Sequence, residues 1–381
     1  MWQAGWSDPR NPLRWGAALQ AVAGRQAQLR FSVRMMTAGF LSFLIAGLFG
    51  LPQGYWVLFS AVIVMQNNVG SSLKAAADRL VGTIAGALVG FLATLVVTHD
   101  LLSEALMLAC VLGPLGFLAA SNPRFKVAPI TAIIVILSRT GQEPAFWLAV
   151  ERVMEIILGG VIGVAVALLV LPARAHSDLA ERASRLIALL GEVWKLEFES
   201  LTGTGDPATA GARLQSVNDR IRAAVTAAEA SGEDAQRERA ARLTESDDPD
   251  PLLRTLRRLR HDFILVGRAG ATPLPAPVLE RLGASLDRIA RTLDAELEAL
   301  AASAKERTAP PRSDDMIAAL DEFASALQRL RGEGLLEEFG PQVAGSLYTL
   351  GFAFEELRRE VPDLRNRLAE FALPARPKGG T

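Results

Sequence analysis

The chain has 381 residues, half of them hydrophobic, a mean hydropathy of +0.25, a formal net charge of −1 and a single cysteine. A charge balance this even excludes the nucleic-acid-binding classes, which concentrate basic residues on one face. One cysteine excludes an intrachain disulfide and a cysteine-based metal centre, and His99, His176 and His261 stand too far apart for ligand spacing, so no cofactor or metal is expected.

The apolar residues are concentrated in one half. Residues 1–171 carry 11 Lys and Arg against 7 Asp and Glu, whereas the remainder carries 29 against 34. Such a split marks a membrane domain joined to a water-soluble one. The predicted fold class is all-α: a six-helix transmembrane bundle followed by a cytoplasmic helical bundle. The expected domains are an interfacial arm (1–30), the membrane domain (31–172), the cytoplasmic domain (173–373) and a disordered tail (374–381).

In the arm, Trp2, Trp6 and Trp15 accompany Arg10, Arg14 and Arg25, the pattern of a segment lying on the inner leaflet. The arginines precede the first apolar run by too far for a cleavable leader. Six spans follow, at roughly Arg34–Leu51, Tyr55–Val69, Leu80–Thr98, Leu101–Ala120, Val127–Ser138 and Val150–Leu171. A crossing helix needs about 20 residues. The second and fifth are short by that rule: either flanking residues complete them, or they are half-spans buried by protein. Lys and Arg dominate alternate loops, with Lys74 and Arg79 in the second, Arg124 and Lys126 in the fourth, and neither type in the third. The positive-inside rule then puts both termini in the cytoplasm of a cell with the protein in its inner membrane.

Beyond Ala173, apolar residues recur three and four apart. Leu179, Ala183, Leu186, Leu190 and Val193 form one stripe, and Leu252, Leu256, Leu259 and Phe263 another. Breakers at Gly203–Pro207, Asp247–Pro251, Pro273–Pro277, Pro310-Pro311 and Pro341 divide this half into five to seven helices.

Three features of the membrane half carry chemistry. Gly82, Gly86 and Gly90 lie on one helix face and permit close approach of another helix, either in a dimer or within one bundle; Gly159 and Gly163 form a weaker pair. Gln66-Asn67-Asn68 is unusually polar for a span end and must face protein, water or a ligand. Lys74 and Asp78, spaced i,i+4, can pair. Cys110 reads as a small buried hydrophobe.

The run Tyr55-Trp56, Gln66, Asn68, Gly70, Lys74, Arg79, Gly82-Thr83, Gly86 and Gly90 resembles the fusaric acid resistance-like family, which includes the aromatic acid exporters. Glu151-Arg152, Glu155, Gly159 and Pro172 resemble that family's last-span signature. The resemblance covers roughly residues 30–172, and Asn67 departs from the family's more usual proline. It implies efflux of organic, often aromatic, carboxylic acids driven by the proton motive force. Because larger members carry two such units, a single unit implies a homodimer. Plant malate-type anion channels are distantly similar in layout.

The resulting expectation is a dimeric exporter of small organic anions in the lipid bilayer. Lys74 and Arg79 collect the anion at the cytoplasmic mouth, Gln66 and Asn68 hydrogen-bond it, and Arg139 and Arg152 serve the outer mouth. Glu155 is a candidate proton carrier, with an ion pair to Arg152 as the alternative reading. A passive anion channel and a non-transporting membrane scaffold are the rival readings. No nucleophile–base pair or nucleotide-binding loop supports an enzyme or an ATP-driven pump.

Overall fold

The computed structural model describes residues 26–96, 100–137, 145–243, 247–334 and 339–372. The described residues form helices joined by turns and short irregular segments, without a strand. They divide into two compact units, Met1–Ala173 and Arg174–Thr381. The expectations for the arm tryptophans, His99, Arg139 and the tail fall outside the described residues.

The first unit contains α1 (Gln26–Leu48), α2 (Tyr55–Val64), α3 (Val69–Thr94), α4 (Leu101–Ser121), α5 (Ala128–Leu137) and α6 (Ala145–Leu169). Four of these, α1, α3, α4 and α6, are long and apolar enough to cross a membrane. The second and fifth of the six predicted spans are the short helices α2 and α5, so of their two readings the half-length one is observed. The ten residues of α2 and of α5 rise about 15 Å, half of a hydrocarbon core about 30 Å thick. Each packs one face against protein: Val57, Ala61 and Val64 in α2, and Ala128, Ala132 and Val135 in α5, are fully buried. Large apolar side chains instead point outward, among them Phe40, Phe43, Leu88 and Phe117. That inside-out pattern suits lipid, not water. It also corrects the reading of Cys110, which is exposed on α4: a small apolar residue on a spanning helix is as well placed facing lipid as facing protein.

Two of the boundaries that differ from the hydropathy reading bear on the site. The third helix starts at Val69, well before the apolar run at Leu80, so Lys74, Asp78 and Arg79 sit on the helix instead of in a loop. The cause is local: the Asn68 side chain accepts from the Ser71 N–H (2.8 Å), and the Ser71 hydroxyl in turn serves the Asn68 N–H, which together nucleate the helix. Similarly, α6 begins at Ala145, ahead of the predicted Val150, so Glu151 and Arg152 lie within the helix and not at its first turn.

The glycine faces are filled from within the unit. A carbon added at Gly82 would meet the Arg124 carbonyl oxygen, at Gly86 the Ala128 carbonyl oxygen and Thr131, and at Gly90 Val135 and Ala132. All belong to α5 or the turn before it. Gly159 and Gly163 seat α2 in the same manner. Of the two readings of the glycine face, packing inside one chain is the observed one.

The second unit holds α7 (Ala175–Thr202), α8 (Pro207–Ala240), α9 (Asp250–Ala269), α10 (Ala276–Glu306), α11 (Asp315–Gly332) and α12 (Gly340–Glu370). Both predicted stripes are buried. Trp194 stands at their meeting point, with ring centroids 6.3 Å from Phe263 and 6.2 Å from Phe354. Gly203, at φ +70°, terminates α7 in the left-handed conformation, and Asp206 caps α8. Pro341 opens α12 instead of breaking a helix, because the first helical turn needs no proline N–H.

Glu197 is buried in this unit with its Oε2 lacking a hydrogen-bond partner. Desolvation pushes its carboxyl from 4.5 up to about 9. The folded state therefore holds a proton that the unfolded state releases, and stability contributed below pH 4.5 is lost as pH rises toward about 9. Glu197→Gln is expected to raise the melting temperature at pH 8, by at least ~1 kcal/mol in stability, and to change it little at pH 4. Scanning fluorimetry at the two pH values checks this; an equal shift at both would show that ionisation is not the cause.

Candidate anion site in the membrane unit

Arg79 lies about 15 Å along α3 from its start. Its side chain is 5% exposed, so its expected place at a solvated mouth is corrected. Helical geometry explains the difference. Lys74 and Arg79 are five residues apart and project from different faces: Lys74 is exposed, whereas Arg79 turns inward toward α2 and α6. The Arg79 Nε donates to Ser60 Oγ (3.0 Å), and Ser60 Oγ donates to the Ile156 carbonyl oxygen (2.9 Å). No carboxylate among the described residues pairs with Arg79. Asp78 turns instead to Arg124, 3.6 Å away, and not to Lys74.

Arg79 and Ser60 border a cavity of ≈ 440 Å³ whose other walls are apolar, including Leu80, Ile156, Gly160 and Val164. A guanidinium held in such surroundings without a counter-anion is costly, from about 2.5 kcal/mol upward at the middle of a membrane. Its planar fork matches a carboxylate, which would offset that cost through charge-assisted hydrogen bonds. An apolar cavity with a few convergent polar groups suits a small amphipathic ligand.

Arg152 is 1% exposed and forms an ion pair with Glu155 (2.7 Å). Its guanidinium lies over the Trp56 ring, 5.4 Å from the centroid. The Trp56 indole N–H and the Tyr55 hydroxyl both donate to Gln53 Oε1, at 3.3 and 2.9 Å. Glu155 is the only buried carboxylate among the described residues of this unit.

The polar stretch after α2 has structural duties. Gln66 donates from its side chain to the Ile63 carbonyl oxygen (3.0 Å), and Asn68 caps α3. Arg34 of α1, 1% exposed, donates to the Asn67 carbonyl oxygen (2.7 Å). The structure thus brings Arg79 together with Ser60, and Arg152 with Glu155, while Gln66, Asn68 and Lys74 stand apart from the cavity lining. Sequence reading missed Ser60 and Arg34. A lone hydroxyl inside the apolar run Tyr55–Val64 was the available signal for the first, and an arginine within the first apolar helix for the second.

The chain is 30% identical over 146 residues to Inner membrane protein YeeA of Escherichia coli, covering 36% of this chain and 40% of that protein. It is 25% identical over 179 residues to slr1298, an uncharacterized protein of Synechocystis sp., covering 46% of this chain and 23% of that one. The model of the fusaric acid resistance protein family matches residues 28–339. With apolar helices long enough to cross a bilayer and a match over most of its length, the chain is a membrane protein that belongs to the fusaric acid resistance protein family.

Proposed function

We propose that this protein exports small organic carboxylates, aromatic ones included, across the inner membrane. The observation that carries this reading is Arg79, buried beside the Ser60 hydroxyl in an otherwise apolar cavity with no acidic partner among the described residues. The guanidinium and hydroxyl address the carboxylate, and the apolar walls take the ring or chain. The family supports transport as the general activity. Glu155 supports coupling to protons, as a buried carboxylate within a spanning helix. The reading extends to a homodimer, and the loop charges support cytoplasmic termini. Mass measurement in detergent and a reporter fused after Thr381 test those two points; a monomer, or a reporter active only outside, would sink them.

The decisive experiment is efflux of radiolabelled benzoate from liposomes holding the purified protein, with and without a pH gradient. Accumulation against a benzoate gradient, driven by the pH gradient, is expected. Equal flux in both settings, together with a benzoate current across a planar bilayer, would replace the carrier by a passive channel. Lys74→Gln should lower the apparent affinity only several-fold and only at low salt. An exposed charge acts at long range and is screened over about 8 Å at physiological ionic strength.

A further inference from the structure

The two glycine faces of the membrane unit are the same contact used twice. An added carbon at Gly86 would strike the Ala128 carbonyl oxygen and Thr131; at Gly159 it would strike the Val57 carbonyl oxygen and Ser60. One turn on, Gly90 faces Ala132 and Val135, and Gly163 faces Ala61 and Val64. These contacts pair Val57 with Ala128, Ser60 with Thr131, Ala61 with Ala132 and Val64 with Val135. The sequences agree, as Ser60-Ala61-Val62-Ile63-Val64 stands against Thr131-Ala132-Ile133-Ile134-Val135. The helix lengths agree as well. Both α1–α2–α3 and α4–α5–α6 run long, short, long, and each short helix packs along the last long helix of the other triplet. The unit is a repeat of two triplets exchanging their short helices, an architecture whose ligand sites fall where the repeats meet.

Carrying the register from Gly86 and Gly159 back along α3 and α6 sets Arg79 opposite Arg152, and Gly82 opposite Glu155. The two arginines are equivalent, and both are at least nine-tenths buried. Their surroundings differ in the carboxylate. At Arg152 the chain supplies a carboxylate, Glu155, at 2.7 Å. At Arg79 the equivalent position is Gly82, which supplies none, and the guanidinium meets Ser60 instead. Glu155 therefore stands at Arg152 where an external carboxylate would stand at Arg79. We propose that Arg152 is a second anion-binding station, equivalent to Arg79 by internal symmetry, and that Glu155 is its built-in occupant, displaced when a substrate carboxylate arrives. The proposal rests on the reading of Arg79 as a carboxylate site, and the two stations can be tested apart.

The test is benzoate binding to the full-length chain in detergent, by calorimetry. The native chain is expected to bind one benzoate, lost in Arg79→Gln. Glu155→Gln keeps the volume and removes the competing charge, so it should bind one further benzoate. In the Arg79→Gln/Glu155→Gln double variant that second site should remain alone, and adding Arg152→Gln should abolish it. Because Glu155→Gln leaves Arg152 buried without a partner, the variant should melt at lower temperature than the native chain, and benzoate should raise its melting temperature more than it raises the native one. This second readout holds if the variant is too unstable for calorimetry. An Arg152-dependent site in the double variant, with no Arg79-dependent site in the native chain, would sink the first reading and uphold this one. A Glu155→Gln chain that gains neither an Arg152-dependent benzoate nor a larger thermal shift overturns the proposal, whatever Arg79 does.

Discussion

Arg79→Met is expected to abolish carboxylate binding and, at the same time, to raise the melting temperature of the ligand-free protein. The two effects share a cause. The guanidinium is 5% exposed and donates from Nε to a neutral hydroxyl, with no carboxylate among the described residues paired with it. In a medium of low dielectric constant the charge is expensive, and a bound anion is what offsets it. A buried charge pair is worth roughly 2–5 kcal/mol on loss of one partner, so benzoate affinity should fall by about 30-fold to more than 1,000-fold at 1.4 kcal/mol per decade. Replacing buried ionic groups by apolar ones of similar volume often stabilises by about 1–4 kcal/mol, and Met fills nearly the same space. Arg79→Lys should keep part of the affinity, because it keeps the charge and loses the fork. Calorimetry with benzoate and melting curves without it are the measurements. Retained affinity together with a lowered melting temperature would make Arg79 a structural residue holding Ser60, and the anion site would have to lie elsewhere.

Gly86→Leu and Gly159→Leu are each expected to prevent recovery of folded protein. At both positions even a methyl group would collide with a backbone carbonyl oxygen of a short helix, Ala128 in one case and Val57 in the other. A side-chain neighbour can rotate away, but a helical carbonyl cannot move without shifting its whole helix. Overpacking of this kind costs about 1–3 kcal/mol when side chains absorb it, and more when the backbone must. Gly86→Ala should already lower the melting temperature. Gly113→Ala on α4, where an added carbon meets nothing within 4 Å, is the control. It should be tolerated and can gain up to about 1 kcal/mol in helix propensity. Yield of monodisperse protein in detergent decides the matter. If Gly86→Leu instead gave a folded monomer, the face would belong to an interface between chains, contrary to the contacts with α5.

The same two helix pairs separate what could be read in the sequence from what could not. Periodicity and composition were enough for the helical class, the division into an apolar and a charged half, and the stripes around Leu186 and Leu259, because those depend on which residues recur at helical spacing and on nothing distant in the chain. The ion pair of Arg152 with Glu155 was equally legible as an alternative, since three residues along a helix bring two side chains together. Hydropathy misplaced the start of α3, because charge marks where an apolar run ends whereas a helix begins where its first N–H groups find a cap, at Asn68. That single boundary moved Arg79 from a presumed loop into the interior. The spacing of Gly82, Gly86 and Gly90 identified a face but not its partner, since a row of glycines fits any close backbone. Only the tertiary structure set α5 against it, joined Arg79 to Ser60 and not to Asp78, and showed through matching contacts that Arg79 and Arg152 occupy equivalent places. Those relations are distances between residues far apart in the chain, and local sequence pattern carries no information about them.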